Sequence, residues 1–323
     1  LDQRLARLTR WIAGPLGGSP RTLQPASADA SFRRYFRATL EDGRSFIAMD
    51  APPEHEDCRA FVHVAQLLRA AGVNAPAVHA QDLEQGFLLL TDLGTLTYLD
   101  ALDEASAAGL MRDAIAALLK WQQATRPGEL PPYDEALLRR ELALFPEWYA
   151  GRHLGRALDA GQAADWDAVC ALLVGSALAQ PAVYVHRDYM PRNLMVCEPN
   201  PGVLDFQDAV IGPITYDIAS LTRDAFLSWE EERVLDWAAR YWEAAKRARL
   251  PVDADFAEFW RAMEWMGLQR HLKVIGIFAR LTYRDGKPKY LADTPRFLGY
   301  ARAAARRYRA LAPLARLLDS LER

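Results

Sequence analysis

Lysine is scarce in this chain of 323 residues: Lys120, Lys246, Lys273, Lys287 and Lys289 are the whole supply, and every other cation is arginine or histidine. Any fixed positive charge placed before Lys120 must therefore be a guanidinium, which suits planar, bidentate partners rather than acting as a compact point charge. Cysteine is sparser still. Cys58, Cys170 and Cys197 are odd in number and widely spaced, which fits neither a disulfide framework nor zinc-ligand spacing and points to a reducing cytoplasm. No stretch approaches the roughly 20 uninterrupted apolar residues of a membrane helix, and no charged-then-apolar leader is legible. Neither sign of charge dominates: a formal net charge of -3 gives no general attraction to nucleic acid or to an anionic membrane. The expected partners are small molecules met by a monomer.

What the chain does have is core. A hydrophobic content of 51% over this length supplies one large two-lobed domain or two domains. Residues 2–13 carry helical apolar spacing (Leu5, Leu8, Trp11, Ile12) that the Gly14-Pro15 pair should stop. Strand-like segments follow at 32–40 and 44–50, joined by Glu41-Asp42-Gly43, a hairpin signal. A helix over 56–70, short strands near Val78 and over 87–91, and then long helices at 105–124, 134–150 and 165–179 complete the first pass. The composition shift near 91–94 predicts a boundary between a strand-rich 1–92 and a mainly helical 93–323. Short strands are expected again at 182–185, 194–197 and 203–206. Helices follow after Asp217, and the Ala/Arg-rich end, 301–323, reads as one amphipathic helix.

The strongest chemical signal is Val185-His186-Arg187-Asp188-Tyr189-Met190-Pro191-Arg192-Asn193-Leu194, followed by Leu204-Asp205-Phe206-Gln207-Asp208. Its spacing is that of a phosphoryl-transfer catalytic loop and metal-binding segment. A hydroxyl nucleophile needs a carboxylate to orient it and take its proton, and Asp188 suits that task. A triphosphate needs a hard cation, and magnesium accepts one amide oxygen and one carboxylate while keeping several waters, the set offered by Asn193 and Asp205. His186 reads as a brace for the loop, and Asp217 as a helix cap or a second brace.

These segments, with Gly212-Pro213-Ile214-Thr215-Tyr216-Asp217-Ile218-Ala219-Ser220-Leu221, resemble the aminoglycoside phosphotransferase family. Asp29-Ala30-Ser31-Phe32-Arg33-Arg34-Tyr35-Phe36-Arg37, Met49-Asp50-Ala51-Pro52-Pro53, Phe145-Pro146-Glu147-Trp148-Tyr149 and His271-Leu272-Lys273-Val274-Ile275-Gly276-Ile277-Phe278 narrow the likeness to its bacterial amino-sugar kinases. The resemblance implies an α+β, bilobal, protein-kinase-like fold with a small antiparallel-sheet N-lobe and a larger helical C-lobe. It implies ATP and Mg2+ as cofactors, and phosphorylation of the anomeric hydroxyl of N-acetylmuramate or N-acetylglucosamine for peptidoglycan sugar recycling. Adenine is expected against Leu90-Thr91-Asp92-Leu93. Acceptor contacts are expected from Glu147, Trp148, Arg192, Arg223, His271 and Lys273.

Two departures stand out. The segment that should cover the phosphates, Ala26-Ser27-Ala28-Asp29-Ala30-Ser31, is small and polar rather than glycine-rich, leaving backbone amides and the Ser27 and Ser31 hydroxyls, next to Phe32, to face phosphate. Met49 stands where kinases carry the phosphate-clamping lysine. Arg33, Arg34 or Arg37 is expected to supply the missing charge, with Arg33 and Arg37 on one strand face and Arg34 on the other. Other readings stay open at this stage: a phosphotransferase for an aminoglycoside, a choline-like alcohol or homoserine, or a nucleotide-binding pseudokinase.

Overall fold

The computed structural model describes residues 2–27 and 32–321, without the Ser27 side chain. Two compact units emerge, residues 1–124 with 191–209, and residues 125–190 with 210–323. The composition shift near residue 92 falls inside the first.

The first unit opens with α1 (Gln3–Leu16), capped by Asp2, whose carboxylate accepts from Leu5 N–H. The helix runs past Gly14 and Pro15 for a further residue and ends at Gly17, whose φ of 74° is open to glycine without a Cβ penalty. Five strands follow: β1 (Thr22–Ser27), β2 (Arg34–Thr39), β3 (Ser45–Asp50), β4 (Val78–Asp82) and β5 (Phe87–Thr91). They form an antiparallel sheet ordered β1-β2-β3-β5-β4. The β2–β3 hairpin turns through Gly43 (φ 85°) as the Asp-Gly signal requires. β1 escaped the sequence reading because Pro25 interrupts it, which only an edge strand tolerates. Alternation does the rest. Phe36, Ala38, Ala48, Phe87 and Leu89 turn to one face and bury against Leu8 and Ile12 of α1. Ile47, Met49, Leu88 and Leu90 turn to the other. The unit continues through α2 (Cys58–Ala70), α3 (Tyr98–Ala101) and α4 (Ala107–Gln123).

The second unit begins with α5 (Glu135–Leu142), then a π-helical segment (Phe145–His153), α6 (Ala160–Leu178) and β6 (Ala182–Val185). The single helix expected over 134–150 is thus divided; Pro146 cannot donate to the ladder, and the wider turn begins there. The chain then returns to the first unit for two short strands, β7 (Leu194–Met195) and β8 (Gly202–Val203), shorter than the spacing suggested. Back in the second unit, β9 (Val210–Pro213) pairs antiparallel with β6, and α7 (Tyr216–Thr222), α8 (Glu231–Arg247), α9 (Phe256–Tyr283), α10 (Thr294–Arg307) and α11 (Ala312–Leu321) follow. The terminal stretch is two helices broken at Tyr308, not one. Phe145, Trp166, Leu272, Ile275, Phe297 and Leu314 share its core. Gly276 lets α9 touch the preceding helical segment, since a Cβ there would lie 2.4 Å from the Leu144 carbonyl carbon.

Candidate active site

β6 is buried at Val183, Tyr184 and Val185 and delivers the chain into the loop His186–Met190. The loop is held from below. Asp217, wholly buried in the first turn of α7, accepts from His186 N–H (2.7 Å) and Arg187 N–H (3.0 Å). Burial outweighs those two bonds and pushes the Asp217 carboxyl up to about 7. His186 Nδ1 accepts from the backbone N–H of Asp188 at 3.2 Å, so the imidazole braces the loop rather than facing a substrate. Arg187 adopts φ 76°, a left-handed conformation that costs a non-glycine residue and persists where surroundings over-determine it. The result is a half-exposed Asp188 on a backbone pinned at three consecutive residues.

Beneath the loop lies a buried ion cluster. Glu141 of α5 meets Arg187 at 2.5 Å and Lys273 of α9 at 3.0 Å, and it accepts from the Tyr133 hydroxyl and from Gln269 Nε2. Burial works to raise its pKa, but Lys273 and Arg187 prevail and bring it down to about 2. Lys273 also reaches the Tyr216 hydroxyl at 3.2 Å and feels the charge of Asp188. Glu141 was missed from sequence, although the signal was there: it is an acid on the same apolar face as Leu138, Leu142 and Phe145.

In the first unit, β7 and β8 form a two-residue ladder whose ends carry Asn193 and Asp205. Leu204 N–H donates to Asn193 O at 2.9 Å, closing that ladder and bringing the two side chains within 3.3 Å, Asn193 Nδ2 to Asp205 Oδ2. Asp205 sits at φ 61° and its other oxygen accepts from Gln207 Nε2. Among the described residues no three His, Cys, Asp or Glu side chains gather into a metal cage. Turning the Asn193 amide would present its oxygen beside the Asp205 carboxylate, two hard donors that could hold a magnesium ion.

Both residues border a cavity of about 280 Å³ in the same unit. Its wall includes Ala26, Tyr35, Ile47, Leu90, Leu93 and Leu204 on the apolar side, and Thr91, Asp92 and Arg192 on the polar side. An apolar slot ending in convergent polar groups is the usual form of a ligand site. Thr91 N–H is committed to Ala77 O at 3.0 Å.

The remaining expected residues are scattered. Ser31 lies outside the described residues, as does the Ser27 side chain. Phe32 is 62% exposed and stacked on His55, with ring centres 4.3 Å apart. Met49 is wholly buried. Arg34 turns to α1 and is bound to Asp50 and Asp2, Arg37 to Asp92, and Arg33 to Glu56. In the second unit, Glu147 is exposed and Trp148 packs partly buried on the core. Arg223 is ion-paired to Glu264 at 3.1 Å and lies over Trp260. His271 is buried against Phe297 and Tyr300, and burial together with Arg270 and Arg223 holds it neutral, well below the usual imidazole pKa.

The chain is similar to known proteins in both sequence and fold. Over 331 aligned residues the chain is 55% identical to the N-acetylmuramate/N-acetylglucosamine kinase of Pseudomonas putida, spanning 99% of this chain and 97% of that one. It is 58% identical to the enzyme of the same name from Pseudomonas aeruginosa, over 94% and 89% of the two chains. The relative of that name from Neisseria meningitidis is 50% identical, over 99% and 96%. Among solved structures, an ADP-bound aminoglycoside phosphotransferase superposes with TM-score 0.62 at 14% identity, covering 94% of this chain and 99% of that one. An amicoumacin kinase with AMP-PNP and calcium does so with TM-score 0.64 at 14% identity, over 95% and 96%. The likeness to these structures carries the kinase-like fold. Residues 22–266 match the model of the phosphotransferase enzyme family, and to that family this chain belongs.

Proposed function

We propose that the protein transfers the γ-phosphoryl group of ATP to the anomeric hydroxyl of N-acetylmuramate and N-acetylglucosamine, the sugars named for its relatives, yielding sugar 1-phosphates for peptidoglycan sugar recycling in the cytoplasm. The observation that carries this reading is near full-length identity of 50–58% to kinases of that name, joined to a loop that presents Asp188 on a braced backbone.

Asp188 orients the acceptor hydroxyl and takes its proton as the new oxygen–phosphorus bond forms, while the bond from γ-phosphorus to the β-γ bridging oxygen breaks and ADP leaves with that oxygen. An anomeric hydroxyl is more acidic than an ordinary alcohol, which eases the deprotonation. Magnesium held by Asn193 and Asp205 would neutralise charge on the phosphate oxygens. The cavity from Leu90 to Leu93 takes the adenine, and its apolar wall of Ile47, Leu90 and Leu204 suits a purine face.

For the acceptor, Glu147 and Trp148 offer a carboxylate beside an aromatic ring, the pair a pyranose uses for its hydroxyls and its apolar face. Glu147 also acts on the charge of Arg280 in α9. Lys273 and Arg223 act from the core, paired with Glu141 and Glu264, while the neutral His271 packs against Phe297 and Tyr300.

Incubating the protein with ATP, magnesium and each of N-acetylmuramate, N-acetylglucosamine, kanamycin and choline, then reading the product by phosphorus NMR, tests the assignment. Phosphate on carbon 1 of the amino sugars is expected. Phosphate on carbon 6, or turnover only with kanamycin or choline, refutes it.

A further inference from the structure

Arg187, Arg223, Lys273 and Arg270 are cations of the second unit whose side chains are largely withdrawn from water. The first three have an acid. Arg187 and Lys273 share Glu141, and Arg223 takes Glu264. Arg270 of α9 is only 3% exposed, and among the described residues no carboxylate is paired with it. Its Nη2 donates to the thioether of Met190 at 3.4 Å, a weak acceptor, and its Nη1 is buried without a hydrogen-bond partner. Withdrawing a guanidinium from water and leaving its donors unmet is costly, and in a native protein such a group marks a function or a bound species.

The place of this cation is beside the reacting loop. Met190 ends that loop two residues after Asp188, and its N–H donates to the Asp188 carbonyl at 3.0 Å. Asp217, whose oxygens accept from His186 N–H and Arg187 N–H, feels the charges of both Asp188 and Arg270. Helix α9 therefore sets a guanidinium behind the half-buried Met190, on the loop that presents Asp188. A methionine side chain is unbranched and soft, so it can yield to a ligand. The acceptor contacts expected from sequence in this unit do not compete for an anion: Arg223 and Lys273 are already neutralised, and His271 is buried and uncharged. Of the two sugars in the reading above, one carries a carboxylate. N-acetylmuramate differs from N-acetylglucosamine by a lactyl ether, which is an anion at neutral pH.

We propose that Arg270 is the carboxylate-binding residue of the acceptor site: its guanidinium takes the lactyl group of N-acetylmuramate in place of the Met190 sulfur, and N-acetylglucosamine leaves that contact as it stands. The inference rests on the amino-sugar reading above. It goes beyond that reading by assigning the residue that tells the two acceptors apart.

Turnover of N-acetylmuramate, of its lactyl amide and of N-acetylglucosamine, with saturating ATP and magnesium at neutral pH, tests the assignment in the unaltered full chain and in Arg270→Gln. The amide keeps the size of the acid and removes its charge. In the unaltered protein kcat/KM for the amide should lie about tenfold or more below that for the acid, the scale of one charge-assisted bond. In Arg270→Gln acid and amide should react alike, and the preference for N-acetylmuramate over N-acetylglucosamine should fall by the same factor. Arg270→Lys should recover part of it. Equal rates for acid and amide in the unaltered protein overturn the proposal without any variant, and so does an acid-over-amide preference that survives Arg270→Gln. Turnover of none of the three sugars by the unaltered protein overturns the amino-sugar reading itself, and this assignment with it.

Discussion

Asp50 and Glu141 are both buried carboxylates, each held by two cations, one in each compact unit. Asp50 takes Arg4 at 2.6 Å and Arg34, and the three together tie α1 to the sheet. Glu141 takes Arg187 and Lys273 under the loop that carries Asp188. The difference lies in what the cations can do when the acid is removed. Arg4 and Arg34 are 23% and 38% exposed and can turn to water, whereas Arg187 and Lys273, at 17% and 9%, cannot. One cluster fastens a scaffold at its rim. The other is sealed, and through Arg187 it reaches the loop that carries Asp188.

Glu141→Gln tests that contrast at its strongest point. Leaving two buried cations without their counter-charge should cost about 3–5 kcal/mol of unfolding free energy, read from denaturant midpoints, and kcat should fall as Arg187 loses its seat. A stability loss with kcat intact would reduce the cluster to scaffold. Asp50→Asn should cost less, about 1–3 kcal/mol, because its arginines rehydrate, and kcat per folded molecule should not change. If Asp50→Asn were the more damaging of the two, exposure would be the wrong basis for the comparison.

Acid gives the smallest and most graded effect. The Glu141 carboxyl lies at about 2 in the native protein against an ordinary value of 4.5. Its contribution is therefore complete above pH 4.5 and is lost as pH falls toward 2. Stability of the unaltered protein should decline through that window, and Glu141→Gln should flatten the decline.

The motif around Asp188 was legible in the sequence because its residues keep a fixed spacing over a short span, and the β7–β8 ladder brings the Asn193 side chain within reach of Asp205. The sheet was legible where side chains alternate and illegible where they do not, as in β1 with its proline. The supporting acids were harder. Glu141 sits on a helix, Lys273 more than a hundred residues later, and only the packing of α5 against α9 joins them. Arg33, Arg34 and Arg37 look alike in sequence; their partners differ because Glu56, Asp50 and Asp92 come from three separate parts of the chain. Strand parity separates Arg34 from the other two, and nothing local separates Arg33 from Arg37.

The central claim is that Asp188 works directly on the acceptor hydroxyl while nucleotide binding belongs to other residues. Asp188→Asn, assayed for turnover with ATP, magnesium and N-acetylmuramate and for ATP affinity by calorimetry, tests it most directly. Turnover should fall by about 10²–10⁴ with ATP affinity retained. Unchanged turnover would contradict the account.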